Sequence, residues 1–154
     1  MRHALPLLLV TLLLSPSLAQ EKAKTQAPAA LREKVSIETD VEYAKAGDVS
    51  LKLDIYKPKA ASAAPRPCIV WIHGGGWQGG NKSSGQGLLV PRVAGGNYVG
   101  VSVGYRLTDV AAYPAQIHDC KAAIRYVRAN AAKLGIDQNK IGVWGSSAGG
   151  HLVF

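Results

Sequence analysis

The sequence has few cysteines, no block of like charges and, after its first residues, no long apolar run. Its two cysteines, Cys68 and Cys120, lack the spacing of a metal site. Lysine and arginine exceed aspartate and glutamate by 18 to 10, but they are spread along the chain. We therefore attribute the formal net charge of +8 mainly to solubility, while an acidic substrate stays open. The 154 residues are 47% hydrophobic and 18% charged, which is typical of one globular domain with its own core.

The N-terminus has the features of a secretory signal peptide. Arg2 and His3 precede an apolar stretch from Ala4 to Leu14, and the small residues Ser17 and Ala19 follow. The stretch is shorter than the roughly 20 residues that a membrane anchor needs. We therefore predict cleavage after Ala19 and a secreted or periplasmic protein with no stable membrane anchor. Export also argues against a nucleic-acid partner.

The chain after the signal peptide is predicted to have a short leader and one domain. Residues 20–34 are polar and rich in alanine and lysine, so we expect a flexible leader, with a short helix as the alternative. Residues 35–154 are assigned to the domain. Its first two segments, Val35 to Ala44 and Ser50 to Tyr56, alternate apolar and polar residues around a Gly47-Asp48 turn. This pattern predicts an antiparallel hairpin of half-buried strands.

The rest of the domain alternates apolar runs with helical patterns. Three segments are continuously apolar, which predicts strands covered on both faces, as in a parallel sheet. They are Cys68 to His73, Tyr98 to Tyr105 and Lys140 to Ser146. A helix is predicted between Pro114 and Gly135 because apolar residues recur there every three or four positions. A short helix is expected in the loop after the first run. The fold class is therefore α/β, with an antiparallel hairpin leading into a mostly parallel sheet with crossover helices.

The two cysteines fit this core. Cys68 begins an apolar strand, and Cys120 lies on the apolar stripe of the helix. We therefore expect two buried free thiols, although a disulfide stays open in an oxidising compartment.

Two short motifs carry the chemistry. The first apolar strand runs directly into Gly74-Gly75-Gly76-Trp77, where the absence of side chains lets backbone N–H groups approach a ligand. The last strand enters Gly145-Ser146-Ser147-Ala148-Gly149, which fits the G-x-S-x-G pattern of a nucleophilic serine on a strand-to-helix turn. The glycine run is interpreted as an oxyanion hole rather than a phosphate loop, because no Lys-Ser/Thr pair follows at the required spacing.

Together these segments resemble the α/β-hydrolase superfamily. The segments "HGGGWQGGNK", "VGYRL", "YPAQIHDCKAAIRYVRANAAKLGID" and "IGVWGSSAGGHL" are similar to secreted esterases and lipases, including hormone-sensitive-lipase-like carboxylesterases and bacterial feruloyl or acetyl-xylan esterases. The resemblance covers about Val49 to Phe154. It implies an eight-stranded sheet whose first five strands match those predicted here, and it implies no metal or cofactor.

The resemblance also assigns roles to individual residues. It implies that Ser147 is the nucleophile and that the N–H groups of Gly75, Gly76 and Ala148 form the oxyanion hole. The supporting positions that it implies are His73, which braces the glycine loop, and Gly74, Gly145 and Gly149. It further implies that Asp119 and the Tyr105-Arg106 pair hold the scaffold near the site.

The remaining members of a serine triad are not found in the sequence. In this superfamily an aspartate or glutamate and then a histidine follow the nucleophile. The four histidines are His3, His73, His118 and His151, and only His151 lies near Ser147, on the flank of the helix that follows it. We therefore expect the N-terminal part of a longer esterase. The alternative is a short protein that dimerises to cover an open strand edge.

The predicted function is serine-dependent hydrolysis of carboxylic esters through an acyl-enzyme on Ser147. The substrate is expected to be a small-molecule or polysaccharide-linked ester, and no oligomeric state is predicted. Two alternatives stay open. One is a non-catalytic fragment or interaction module with half the fold, and the other is a peptidase or acyltransferase of the same fold.

Overall fold

The computed structural model describes residues 27–153, so the predicted signal peptide and residues 20–26 of the leader lie outside the described residues. Five strands form one sheet. They are β1 (Val35–Ala46), β2 (Val49–Pro58), β3 (Arg66–Ile72), β4 (Val99–Val103) and β5 (Ile136–Gly145). Their order across the sheet is β1-β2-β4-β3-β5. The pairs β1–β2 and β2–β4 are antiparallel, and β4–β3 and β3–β5 are parallel, so the sheet is mixed.

Five helices and one 3₁₀ turn connect the strands in the described part of the chain. They are α1 (Ala29–Arg32), the 3₁₀ turn Lys82–Gly85, α2 (Gln86–Ala94), α3 (Ala115–Ala129), α4 (Ala131–Leu134) and α5 (Ala148–His151). The helix expected in the loop after β3 is thus present as α2. None of the helices between residues 27 and 153 combines the length and apolar character needed to cross a bilayer.

The long helix predicted between Pro114 and Gly135 is confirmed, but it is divided in two. Asn130 separates α3 from α4 with φ −102° and ψ 11°, and its amide donates to the Tyr126 carbonyl at 2.9 Å. An asparagine side chain that bonds locally to the backbone competes with the helical pattern, which accounts for the break. Gly135 then ends α4 in the left-handed conformation, with φ 70°, as its position after the apolar stripe predicts.

The predicted hairpin is confirmed, although β2 is buried on both faces rather than half-buried. Leu53 and Ile55 pack in the cluster that includes Val127 of α3. Tyr56, on the opposite face, packs in the cluster that includes Leu89 of α2. Alternation predicted one solvated face, but helices cover both faces of this strand.

The last strand, β5, is more exposed than its sequence predicted, whereas β2 is more buried. Its continuous apolar run predicted cover on both faces, but Ile141 and Val143 are only half-buried and Trp144 is 40% exposed. The physical reason is its place in the sheet. Within residues 27–153, β5 pairs with β3 alone and forms the edge.

The described part of the leader packs on the domain. Ala27 is buried, and Leu31 of α1 packs with it on the cluster that includes Tyr56 and Leu89. From residue 27 onward the leader therefore holds a short helix against the core.

Both cysteines are buried and unpaired, as expected. Burial raises the pKa of the Cys68 thiol to about 12, and burial together with the charge of Asp119 does the same for Cys120.

Candidate active site

The glycine loop and the serine turn lie side by side. Strands β3 and β5 are adjacent and parallel, and Ile72 pairs with Gly145 at their carboxyl ends. The segments that leave these two strands therefore emerge side by side at the carboxyl ends of the strands, which is where ligands bind in open α/β sheets.

The serine turn has a backbone conformation that few residues other than glycine adopt. Ser147 has φ 51° and ψ −122°, and α5 begins at the next residue. Its side chain is exposed. A non-glycine residue held in such a region costs about 1–3 kcal/mol, and such residues cluster at functional sites. The turn thus holds Ser147 at the carboxyl end of β5, as the G-x-S-x-G pattern predicts.

The glycines on either side of Ser147 allow this turn to fit closely against the sheet. A Cβ on Gly145 would overlap the backbone of Gly149, and a Cβ on Gly149 would overlap the Ile72 carbonyl. The Gly149 N–H donates to the Ser146 carbonyl at 2.8 Å. These contacts leave no room for side chains, so Gly145 and Gly149 have a steric role.

The glycine loop passes directly beside Ser147. A Cβ built on Gly74 would lie 3.2 Å from the Ser147 Cβ. Gly75 and Gly76 then have φ 122° and 60°, and the Gly75 carbonyl accepts the N–H of Gly79 at 2.9 Å. The loop therefore turns tightly just after the residue that lies beside the serine.

Three N–H groups at this junction have no acceptor within residues 27–153. They belong to Gly75, Gly76 and Ala148. Ala148 is the first residue of α5, where N–H groups have no partner inside the helix and attract negative charge. The arrangement thus offers unused donors next to an exposed hydroxyl.

His73 lies beneath the loop rather than at its surface. Its side chain is buried, and Nδ1 donates to the Gly74 carbonyl at 2.8 Å. The imidazole stacks on Tyr105 at 4.3 Å between ring centroids, and the Tyr105 hydroxyl donates to the His73 carbonyl at 3.0 Å. Burial lowers the pKa of His73, which favours the neutral imidazole. These contacts indicate that His73 supports the glycine loop structurally and does not transfer protons.

Asp119, which is buried, forms an ion pair with the partly buried Arg106. The guanidinium donates from Nε to Oδ2 at 2.8 Å and from Nη2 to Oδ1 at 2.7 Å. The backbone N–H of Arg106 also donates to Oδ2 at 3.0 Å. Such a bidentate geometry fixes the loop after β4 against α3. Asp119 is therefore occupied in holding the scaffold.

No base for Ser147 is found in the described part of the chain. His151 is exposed, and its ring lies T-shaped to that of Trp77, with 5.5 Å between the ring centroids, and makes no hydrogen bond to Ser147. His118 is exposed on α3, and His3 lies outside the described residues. Between residues 27 and 153 neither an imidazole nor a carboxylate hydrogen-bonds to Ser147. No group of three or more metal-ligating side chains occurs there either.

A mostly apolar cavity of about 380 Å³ opens beside the serine turn. It is lined by Trp77, Thr108, Tyr113, Gln116 and His151. The Thr108 N–H donates to the Trp77 carbonyl at 2.9 Å, which ties the loop after β4 to the glycine loop. Sequence reasoning missed Thr108, Tyr113 and Gln116 because no local motif marks them, and only the fold brings them to Trp77.

The strand order, the glycine loop after β3 and the serine turn after β5 place the chain among the α/β hydrolases, as the first five strands of that fold. The chain belongs to the BD-FAE family, whose sequence profile matches residues 53–154. The matched region begins within β2 and includes both motifs of the candidate site. The resemblance to α/β-hydrolase esterases is therefore confirmed.

Similar proteins are named esterases. The chain is 36% identical over 105 residues to Esterase LipC of Mycobacterium tuberculosis, an alignment that covers 68% of this chain and 26% of LipC. A bacterial heroin esterase superposes with a TM-score of 0.73 and 33% identity, covering 88% of this chain and 43% of that one. A truncated carbohydrate esterase from gut microbiota superposes with a TM-score of 0.66 and 40% identity, and the match covers 77% of this chain and 41% of that one. The chain spans about a quarter of the length of the curated relatives it matches.

Proposed function

We propose that this protein is a serine-dependent carboxylic ester hydrolase and that the described residues supply its nucleophile and oxyanion hole. One observation carries the proposal. Ser147 is exposed on a strained turn next to Gly74, and the N–H groups of the following Gly75 and Gly76 and of Ala148 make no hydrogen bond within residues 27–153, which supports this assignment. Donors fixed where negative charge develops stabilise the transition state of acyl transfer.

The proposed reaction has two steps. Ser147 Oγ attacks the ester carbonyl carbon while a histidine takes the hydroxyl proton, and the carbonyl oxygen becomes an oxyanion facing the three N–H groups. The C–O bond to the alcohol then breaks, and the histidine returns the proton to the leaving oxygen. Water, deprotonated by the same histidine, hydrolyses the acyl-enzyme and restores Ser147. In this proposal the histidine and its orienting carboxylate come from outside residues 27–153.

The proposed substrates are esters met outside the cytoplasm. The support is the signal-peptide pattern of residues 1–19 and the similarity to proteins named as carbohydrate and heroin esterases. Both small-molecule and polysaccharide-linked esters are therefore proposed. The intact mass of the protein recovered from the medium or periplasm tests export, since processing after Ala19 leaves Gln20 as the first residue.

The experiment compares p-nitrophenyl acetate hydrolysis by the purified wild type with that of Ser147→Ala and Ser146→Ala. The two serines are adjacent in one motif, so Ser146→Ala is a matched control. We expect Ser147→Ala to lower kcat by at least about 1,000-fold and Ser146→Ala to change it only slightly. The assay is run on residues 20–154 and on the full-length product of the gene.

The outcomes separate the alternatives. Turnover by residues 20–154 that disappears in Ser147→Ala would place the base within the chain, at His151 or His118. Turnover confined to a longer product would place the base beyond Phe154. Hydrolysis unaffected by Ser147→Ala in every form would refute the proposal.

A further inference from the structure

One row of residues crosses the sheet beneath the glycine loop. Asp54 of β2 pairs with Ser102 of β4, Ser102 pairs with Trp71 of β3, and Trp71 pairs with Trp144 of β5. The first three are buried, although two of them are polar. Buried polar side chains in a sheet need partners, because an unsatisfied polar group costs about 1–3 kcal/mol.

The partners of this row are in the 3₁₀ turn that follows the glycine loop. Lys82 Nζ lies 2.8 Å from Asp54 Oδ1, and the Lys82 carbonyl accepts the Ser102 hydroxyl at 2.6 Å. Trp71 Nε1 donates to the Ser84 hydroxyl at 3.3 Å. Two neighbouring strands therefore hold one residue, Lys82, by its side chain and by its backbone.

The turn rests directly on the row because Gly85 lacks a side chain. A Cβ at Gly85 would overlap the Ser102 hydroxyl and would lie 2.9 Å from Trp71 Cδ1.

A bulge in β1 brings a second carboxylate to Lys82. Asp40 has φ 59° within the register shift between Glu38 and Val41, and its N–H donates to Asp54 Oδ1 at 3.0 Å. Its own carboxylate Oδ1 lies 3.0 Å from Lys82 Nζ. A buried ion pair is stable only when its other hydrogen bonds are also made. The exposed Asp40 therefore supports the buried Asp54–Lys82 pair.

The end of the glycine loop at Gly80 depends on how Lys82 is held. Gly80, two residues before Lys82, has φ 85°, and a Cβ there would overlap the Gly74 carbonyl and would lie 2.7 Å from His73 Nδ1. Gly74 in turn contacts Ser147. Gly80 therefore connects Lys82, through close backbone contacts, to the residues beside the serine.

We propose that Lys82, held by Asp54, Ser102 and Asp40, is a positioning residue that fixes the glycine loop at its distance from Ser147. The proposal deepens the proposed hydrolase function and rests on it for its catalytic consequence. Lys82 touches no reacting atom. Its effect is on where the N–H groups of the loop lie, and a displacement of about 1 Å at such a group costs roughly 100-fold in rate.

The test compares Lys82→Met, which keeps the apolar stem but removes the charge, with Lys140→Met. Lys140 is a matched control because it also pairs with an aspartate, at 3.3 Å from Asp137, but is exposed and far from the loop in sequence. In the full-length protein we expect Lys82→Met to lower kcat by about tenfold to 100-fold while KM changes less than about twofold. Lys140→Met should leave both unchanged.

A second readout needs no activity. Amide hydrogen exchange of residues 73–81, followed by mass spectrometry, should accelerate at least about tenfold in Lys82→Met. The buried Val127 lies on α3, in the cluster on the other face of the sheet, so Val127→Ala is a destabilised control. Asp40→Asn, which removes only the exposed partner, should have a smaller effect than Lys82→Met.

The two readouts distinguish the two proposals. Exchange in residues 73–81 that rises no more in Lys82→Met than in a Val127→Ala protein of equal stability would overturn the positioning role. A fall in kcat explained by a lower folded fraction would overturn it as well. If no form of the wild type shows Ser147-dependent hydrolysis, the hydrolase function fails, while the exchange result still decides whether Lys82 holds the loop.

Discussion

Replacing Arg106 by alanine should destabilise the fold strongly, because it leaves a buried carboxylate without its cation. The Asp119 side chain is only 3% exposed and accepts two hydrogen bonds from the guanidinium. Removing one partner of a buried ion pair costs about 3–5 kcal/mol. Asp119 retains the N–H of residue 106, which alanine also provides, so we expect the lower end, about 3 kcal/mol in the free energy of unfolding.

The assay is urea unfolding followed by circular dichroism, with the midpoint and the slope fitted separately. A loss of about 3 kcal/mol corresponds to a fall in Tm of roughly 10 °C for a domain of this size. Asp137→Asn provides the control, because it breaks an exposed ion pair and should change stability by less than about 1 kcal/mol.

Two results would refute this reasoning. A loss in Arg106→Ala no larger than that in Asp137→Asn would show that the buried pair behaves like a surface pair. The double variant Arg106→Met with Asp119→Leu should regain much of the lost stability, since apolar groups of similar size often replace a buried pair without cost. Equal or greater destabilisation in the double variant would mean that packing, and not the unpaired charge, determines the loss.

Three further predictions follow from burial. Ellman's reagent should label neither Cys68 nor Cys120 in the folded protein, because a thiol pKa of about 12 leaves little thiolate near neutral pH. Both cysteines should be labelled in concentrated guanidinium, and rapid labelling of the native state would contradict this prediction. The free energy of unfolding should decline as pH falls below 6.5, because burial lowers the pKa of His73 in the folded state and the unfolded chain therefore binds a proton more readily. His73→Gln should lack that part of the pH dependence, and identical pH profiles for the two proteins would exclude a contribution from His73. Gly85→Ala should cost about 1–3 kcal/mol through overpacking against Trp71 and Ser102, as measured by urea unfolding; an unchanged midpoint would show that the turn can move.

Local patterns predicted the parts of this fold that depend on neighbours in sequence. The hairpin, the end of α4 at Gly135 and the strand before Ser147 follow from periodicity and from glycine positions. The serine turn could be located because its motif is contiguous. Its conformation, with φ 51° at Ser147, agrees with the turn that the motif implies.

Features that depend on pairing between distant strands could not be predicted in this way. Alternation predicts one solvated face for β2, whereas the strand is covered on both faces and the Asp54 carboxylate on it pairs with Lys82. Nothing near Asp40 indicates the bulge that brings it to the same lysine. The exposure of β5 likewise depends on its place in the sheet and not on its composition.

The parallel pairing of β3 with β5 has a consequence for how this site can vary. Because one strand leads into the glycine loop and the other into Ser147, the alignment of the two backbones sets the spacing between these two segments. A slip of one residue would move the hydroxyl by about 3.3 Å and turn it to the opposite face of the sheet. Helices and outer loops can therefore change in sequence and length while the spacing between the glycine loop and Ser147 is kept, because the hydrogen bonds between β3 and β5 determine it.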